Sequence, residues 1–227
     1  MKVTEKVYAY IWRGRGNNSN TYLYAGEKTI IIDPGHIHNE MRENCLDTLL
    51  GSMQEDGFSP EQVELVLCTH SHADHCEAGS FFNEKYGIPV AMHKFEEGHM
   101  ETLARFFEQM TGQKPNLPSI DIFLQEGELE LGNNKDIIQA LHTPGHSPGS
   151  LSFFIPQEKV MLSGDAVFHG SIGRTDFPDG SLQSLGQSVE KLSAVEGVEW
   201  LLPGHMGAVR GEADVQANYD MIKRMFF

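Results

Sequence analysis

The sequence predicts a mixed α/β fold whose strands end together at one edge of a sheet core. Three observations lead there. Apolar runs of strand length recur along the 227 residues. Segments with helical spacing lie between several of them. Four of the runs stop abruptly in polar side chains, and at three of these stops glycine or proline lets the backbone turn sharply.

In chain order, residues 3–12 alternate loosely up to Ile11-Trp12 and read as a strand, and Gly14 to Asn18 read as a turn. Thr21 to Ala25 and Thr29 to Ile32 flank Gly26-Glu27-Lys28 and read as a hairpin. Asp33 closes the second strand and has two readings: a carboxylate that orients a ligand histidine, or a turn cap. His36 and His38 read as solvated loop histidines. Met41, Cys45, Leu46, Leu49 and Leu50 stand at helical spacing within 39–56, and Ser59-Pro60-Glu61 is a turn or a short helix start. Val63, Leu65, Val66 and Leu67 form the next strand. A helix follows over Ala78 to Tyr86, stopped at Gly87, and then a short strand from Ile88 to Met92. Glu96 to Met110 reads as an amphipathic helix with Met100, Leu103, Phe106, Phe107 and Met110 as its stripe. That stripe is either core packing, a helical lid or pocket wall inserted at about 94–119, or a surface for a second copy in a homodimer. Gly112 to Pro118 is a loop. Ile120 to Leu124 and Leu129 to Leu131 are strands around a turn at Gly127, and Asn133-Asn134 is another turn. Ile137 to Leu141, Lys159 to Leu162 and Val198 to Leu202 are the strands of the other three stops. Leu151 to Ile155 is a strand turning at Pro156, and a last helix runs from about Asp214 to Phe226. His93, His99 and His142 read as structural.

The stops carry the chemistry. The first runs into Thr69-His70-Ser71-His72-Ala73-Asp74-His75, with four strong donors within six positions. The others end at His146, Asp165 and His205. Bare imidazoles and carboxylates crowded at strand ends are costly unless something binds them. Their chemistry suits zinc, with iron or manganese also accommodated. In an extended segment i and i+2 face one way, so His70 and His72 can grip one ion. Asp74 and His75 come after the strand and can reach a second. Seven donors exceed one tetrahedral ion and fit two. Asp165 is the natural bridge, because a carboxylate offers two oxygens and an imidazole one free nitrogen.

On T-H-S-H-A-D-H at 69–75, H-T-P-G-H-S-P-G-S at 142–150, S-G-D at 163–165 and L-P-G-H at 202–205, the chain resembles the metallo-β-lactamase superfamily. N-S-N-T-Y-L-Y at 18–24 and I-I-I-D-P-G at 30–35 extend the resemblance over nearly the whole chain. It implies an αβ/βα sandwich, with two mixed β-sheets face to face and helices on the outer faces. It also implies that His70, His72 and His146 hold one ion, that Asp74, His75 and His205 hold the other, and that Asp165 bridges. The G-S-I-G-R-T-D-F-P segment at 170–178 resembles the glyoxalase II-like branch, of hydroxyacylglutathione hydrolase type, and also persulfide dioxygenases. Arg174 there is either a fork for a substrate carboxylate or a partner of Asp176 that shapes the loop. Longer glyoxalase II proteins carry an extra helical domain that binds glutathione, whereas the stretch after His205 is long enough for one helix.

Composition sets bounds on function. No linker, repeat or low-complexity tract divides the chain, so 1–227 reads as one domain around the four stops. The formal net charge of −15 argues against nucleic acid or an anionic membrane as partner. No long uncharged run suggests a membrane span. Three cysteines with no C-x-x-C pair fit a cytoplasmic protein.

The expected reaction follows from the donors. Two adjacent dications lower the pKa of a shared water, giving a hydroxide that attacks a carbonyl carbon at neutral pH. A small acyl substrate, in particular a thioester, suits such a site because a thiolate leaves without much acid help. Asp74 would orient the hydroxide or carry its proton. Nucleophilic serine catalysis has no support. The rival enzyme reading is a mononuclear Fe(II) persulfide dioxygenase using His70, His146 and Asp165. The reading from another class is a metal-binding scaffold without catalysis.

Overall fold

The computed structural model describes residues 1–112, 117–129, 131 and 136–227. One sheet takes its strands in sequence order: β1 (Val7–Tyr10), β2 (Thr21–Ala25), β3 (Thr29–Ile32), β4 (Leu65–Leu67), β5 (Val90–His93) and β6 (Ile122–Leu124). The other contains β7 (Gly127–Leu129), β8 (Ile138–His142), β9 (Leu151–Ile155), β10 (Val160–Gly164), β11 (Trp200–Pro203) and β12 (Val209–Arg210). Both sheets are mixed. The first is antiparallel through β3 and parallel from β3 to β6. The second is antiparallel apart from the parallel β10–β11 pair.

The near-continuous apolar strands are explained by burial on both faces. Ile30, Ile32 and Leu67 point inward to meet Phe153, Ile155, Val160 and Leu162 of the opposite sheet. Their neighbours Ile31 and Val66 face outward, under α1 (Cys45–Glu55) and near Phe82 of α3 (Gly79–Tyr86). On the other side Phe154 and Met161 pack beneath α5 (Leu182–Ser193) and α6 (Glu212–Phe226). The expected layered sandwich is present.

Differences from the sequence reading have local causes. The α1 helix starts at Cys45 rather than near residue 39. The Asn39 side chain accepts from the amides of Met41 and Glu43, which keeps this stretch in a turn until Asn44 caps the helix. Asp74 and His75 lie within a one-turn helix, α2 (Ala73–Cys76), that precedes α3. The α5 helix was not anticipated, although Leu185, Ser188, Val189 and Leu192 bury one face at helical spacing and Ser181 caps its start. The expected helix after β5 is α4 (Phe95–Thr111). Its buried face begins with Glu96 and His99 before reaching Leu103, so two polar residues precede the apolar stripe. The expected turn at Asn133-Asn134, the part of the loop at 113–116 and the middle residue, Glu130, of the strand expected over Leu129 to Leu131 lie outside the described residues. Among the described residues no helix is long and apolar enough to cross a membrane.

Register brings the stops together. Ile32 pairs with Leu67, so Asp33 stands beside the start of the 68–75 loop. Leu162 pairs with Leu202, and a shift in register at the end of β10 sets Asp165 beside Gly204 and His205. A Cβ at Gly204 would collide with the Asp165 carboxylate and the His75 ring. Gly164, at φ +51°, passes Thr69 so closely that a Cβ there would meet its side chain at 2.7 Å.

Phe153 is wholly buried between the sheets. Phe153→Ala should cost about 3–5 kcal/mol of stability in urea unfolding. A loss below about 1 kcal/mol would contradict the two-sheet core.

Candidate metal centre

The first ligand loop is shaped by Asp33. Its carboxylate accepts from the Thr69 amide and hydroxyl, both at 2.7 Å, which ends the strand and turns the chain. The same carboxylate lies 2.9 Å from His75 Nδ1. Asp33 therefore serves both of its sequence readings. Holding a proton on Nδ1 aims His75 Nε2 at the opposite strand ends. His70 and His72 converge in a bend beyond the end of β4, not on one face of an extended strand. They achieve this by using different nitrogens, Nε2 of His70 and Nδ1 of His72, each facing His146 Nε2 at 3.2 and 2.8 Å. His146 in turn meets the Arg174 carbonyl at 2.7 Å through Nδ1, which places its proton there and frees Nε2.

All seven predicted donors come together. Ligand atoms of His70, His72 and His146, of His70, His75 and Asp165, and of Asp74, His75 and His205 lie within 4.8 Å of one another in each group. Asp165 spans the groups: Oδ1 is 3.2 Å from His75 Nε2, while Oδ2 is 3.4 Å from His146 Nε2 and 3.5 Å from His205 Nε2. His205 Nε2 also lies 3.2 Å from Asp74 Oδ2, to which Asn17 Nδ2 donates at 2.8 Å.

The donors fit a metal better than they fit each other. The His146 Nε2 lone pair faces two other ring nitrogens, and one proton cannot satisfy a three-way meeting of lone pairs. Donors bound tetrahedrally at about 2.0–2.1 Å stand about 3.3 Å apart, close to the spacings seen. Asp165 Oδ1 has no hydrogen bond among the described residues despite its burial.

Electrostatics divide the rings. Burial and the neighbouring imidazoles push the pKa of His70 and His72 well down, which keeps them neutral and ready to ligate. Burial also pulls on His75, but Asp165, Asp33 and Asp74 outweigh it and raise its pKa. His205 is raised against burial by Asp165 and Asp74. Burial opposes ionisation of Asp74 and Asp165, yet the adjoining His75 and His205 hold both carboxyls below the usual range.

Several contributors were not legible as site residues. Glu96 of α4 is wholly buried and accepts from the Ser71 amide, the Ser147 hydroxyl and the Gly149 amide at 2.6–2.8 Å. It ties the loop of His70 and His72 to the loop of His146. Asn20 bonds the backbones of Pro203, Gly204 and Met206, and so ties the β1–β2 connection to the loop of His205. Phe177 stands edge-on to His72, with centroids 5.2 Å apart. The Arg174 guanidinium makes a bidentate pair with Asp176 at 2.9 and 2.8 Å and stacks 4.4 Å over Phe177. It is thus the Arg174 carbonyl, not the guanidinium, that reaches the donor set. His142, read as structural, meets the Pro148 carbonyl at 2.9 Å and stacks on His93. His99, also set aside as structural, packs against His72.

Beside His205, a cleft of about 270 Å³ is lined by Trp12, Asn17, Asn18, Asn20 and Met206. A larger hollow of about 600 Å³ between β1 and α1 contains none of the seven donors.

The family model of the metallo-beta-lactamase superfamily matches residues 14–205. A probable metallo-hydrolase of Methanocaldococcus jannaschii is 31% identical over 200 residues, covering 85% of this chain and 89% of that protein. The hydroxyacylglutathione hydrolase GloC of Haemophilus influenzae is 36% identical over 154 residues, covering 63% of this chain and 68% of its own length. A solved structure described as di-iron-bound is similar at a TM-score of 0.69 and 30% identity, covering 85% of this chain and 89% of its own.

Protons compete with metal for His75 and His205 Nε2, and their raised pKa values extend that competition to neutral pH. Affinity for zinc, measured by chelator competition, should fall as pH drops from about 8 to about 6. A pH-independent affinity would contradict the donor assignment.

Proposed function

The chain belongs to the metallo-beta-lactamase superfamily, and from that premise we propose that it is a metal-dependent hydrolase of thioesters or related small acyl substrates. One observation carries the reading: two complete donor groups share the Asp165 carboxylate. His70, His72 and His146 would hold one ion, Asp74, His75 and His205 the other, with Asp165 between. When bound, two divalent ions supply Lewis acidity and a water acidic enough to attack a carbonyl near neutral pH.

The chain's own residues do the rest. Asp33 and the Arg174 carbonyl fix the tautomers of His75 and His146, so their Nε2 lone pairs stay aimed inward. Asp74 keeps an ionised carboxyl beside His205 and is placed to orient the attacking water and carry its proton on a carboxylate oxygen. Phe177, backed by Phe107 of α4, forms an apolar wall over His72 and His146 that would exclude bulk water. A thioester suits this arrangement because its thiolate leaves without a proton donor. The similarity to GloC supports the same substrate class.

The exposed Arg174 guanidinium, held by Asp176 and Phe177, would meet a substrate carboxylate at the mouth of the site. His70, His146 and Asp165 also form a two-histidine, one-carboxylate face, and the similarity to a di-iron-bound structure admits iron. A persulfide dioxygenase is therefore the second reading.

Thiol release from acylglutathione thioesters, with no oxygen consumed, is the result expected of the purified metal-loaded protein. Oxygen uptake with glutathione persulfide, without thioester cleavage, would overturn hydrolysis in favour of the dioxygenase. Asp165→Ala should lose most bound metal by elemental analysis and nearly all turnover. Full metal content in that variant would remove Asp165 from its bridging role. Arg174→Ala should raise KM for an anionic thioester with metal content unchanged, and a variant that loses metal would make Arg174 part of the scaffold.

A further inference from the structure

The α4 helix brings His99, which is not one of the seven donors, into contact with the donor set. Glu96 and His99 lie three residues apart on the same helical face, and both are almost wholly buried. Glu96 anchors that face to the two ligand loops. His99 then packs its ring against His72, with centroids 5.9 Å apart and planes inclined by 40°. On its other side His99 Nδ1 lies 3.2 Å from Asp179 Oδ2. Asp179 sits in the same 170–180 loop whose Arg174 carbonyl orients His146, and it adopts a left-handed φ of 62°.

Two buried ring nitrogens are left without a hydrogen-bond partner among the described residues: Nε2 of His72 and Nε2 of His99. Each orphan costs free energy, and neighbouring orphans of opposite character would satisfy each other. Their characters are set from the far side of each ring. His72 turns Nδ1 toward the metal centre, so a neutral His72 bound there carries its proton on Nε2 and needs an acceptor. His99 donates from Nδ1 to the Asp179 carboxylate, so a neutral His99 leaves Nε2 with a bare lone pair.

We propose that His99 is the positioning residue for His72: its Nε2 accepts the Nε2–H of His72 through one bridging water, in a chain from the metal centre to Asp179. The inference rests on the reading of His72 as a metal donor and on nothing about the substrate. It gives His72 the orienting acceptor that His75 has in Asp33 and His146 has in the Arg174 carbonyl. It also gives α4 and the 170–180 loop a shared task, since each supplies one member of the chain.

The test uses zinc itself and full-length protein. Ring nitrogen-15 spectra of the zinc-loaded wild type should show His99 protonated on Nδ1 and bare on Nε2, with His72 protonated on Nε2. His99→Leu should weaken zinc binding about 10–100-fold in chelator competition. His99→Gln, which keeps an acceptor toward His72 and a donor toward Asp179, should recover most of that loss. A His99 proton on Nε2, or tight zinc binding by His99→Leu, would overturn the proposal. The spectra decide it even if His99→Leu does not fold. Failure of the wild type to bind zinc would instead strike the metal reading and this inference with it. A wild type that binds zinc and shows these tautomers but cleaves no thioester would leave the inference standing and sink only the substrate.

Discussion

Asp165 faces imidazoles on two sides with two different oxygens, and among the described residues its buried Oδ1 has no hydrogen bond. That unsatisfied meeting of lone pairs and carboxylate charge is the constraint around which the chain is built. Nitrogens left bare at His70, His72 and His146, and rings held by carboxylates at His75 and His205, are poorly stable as neighbours without a cation. Burial sharpens the problem, because water cannot reach in to solvate them. The fold accepts that local cost and meets it with a large two-sheet core.

Geometry at the centre is set by groups that are not donors themselves. Asp33 fixes one histidine while ending a strand, and the Arg174 carbonyl fixes another. Glu96 and Asn20 work on backbones: one joins the loops of the first donor group, the other ties the β1–β2 connection to the loop of His205. In each case a polar group is satisfied by holding a loop end, so the same hydrogen bonds that stabilise the edge also aim the donors.

The meeting of the donors was legible from sequence because they follow the ends of four apolar strands and because carboxylate and imidazole chemistry has few other uses at that density. The hairpin from Thr21 to Ile32 was legible from its turn, and both strands begin and end where that reading placed them. Strand parity failed for His70 and His72, since Asp33 bends the chain before them and the pair uses different ring nitrogens. Glu96 was hidden for another reason. One of two adjacent acids at the start of an amphipathic helix looks like a solvated residue of the first turn, and only the fold shows that three donors from two distant loops meet Glu96. Arg174 drew notice through its charge, while its contribution to the donor set comes through its backbone, which no side-chain pattern reveals. The α5 helix carries a readable period, but Gly186 and the serines between its apolar positions weaken the helical signal.

Crystals of the protein loaded with zinc, measured for anomalous scattering at the zinc edge, address the central claim directly. The account requires two peaks per chain, one within ligand distance of His70, His72 and His146 and the other within ligand distance of Asp74, His75 and His205, with Asp165 facing both. A single peak, or zinc bound elsewhere with these seven side chains turned apart, would contradict it.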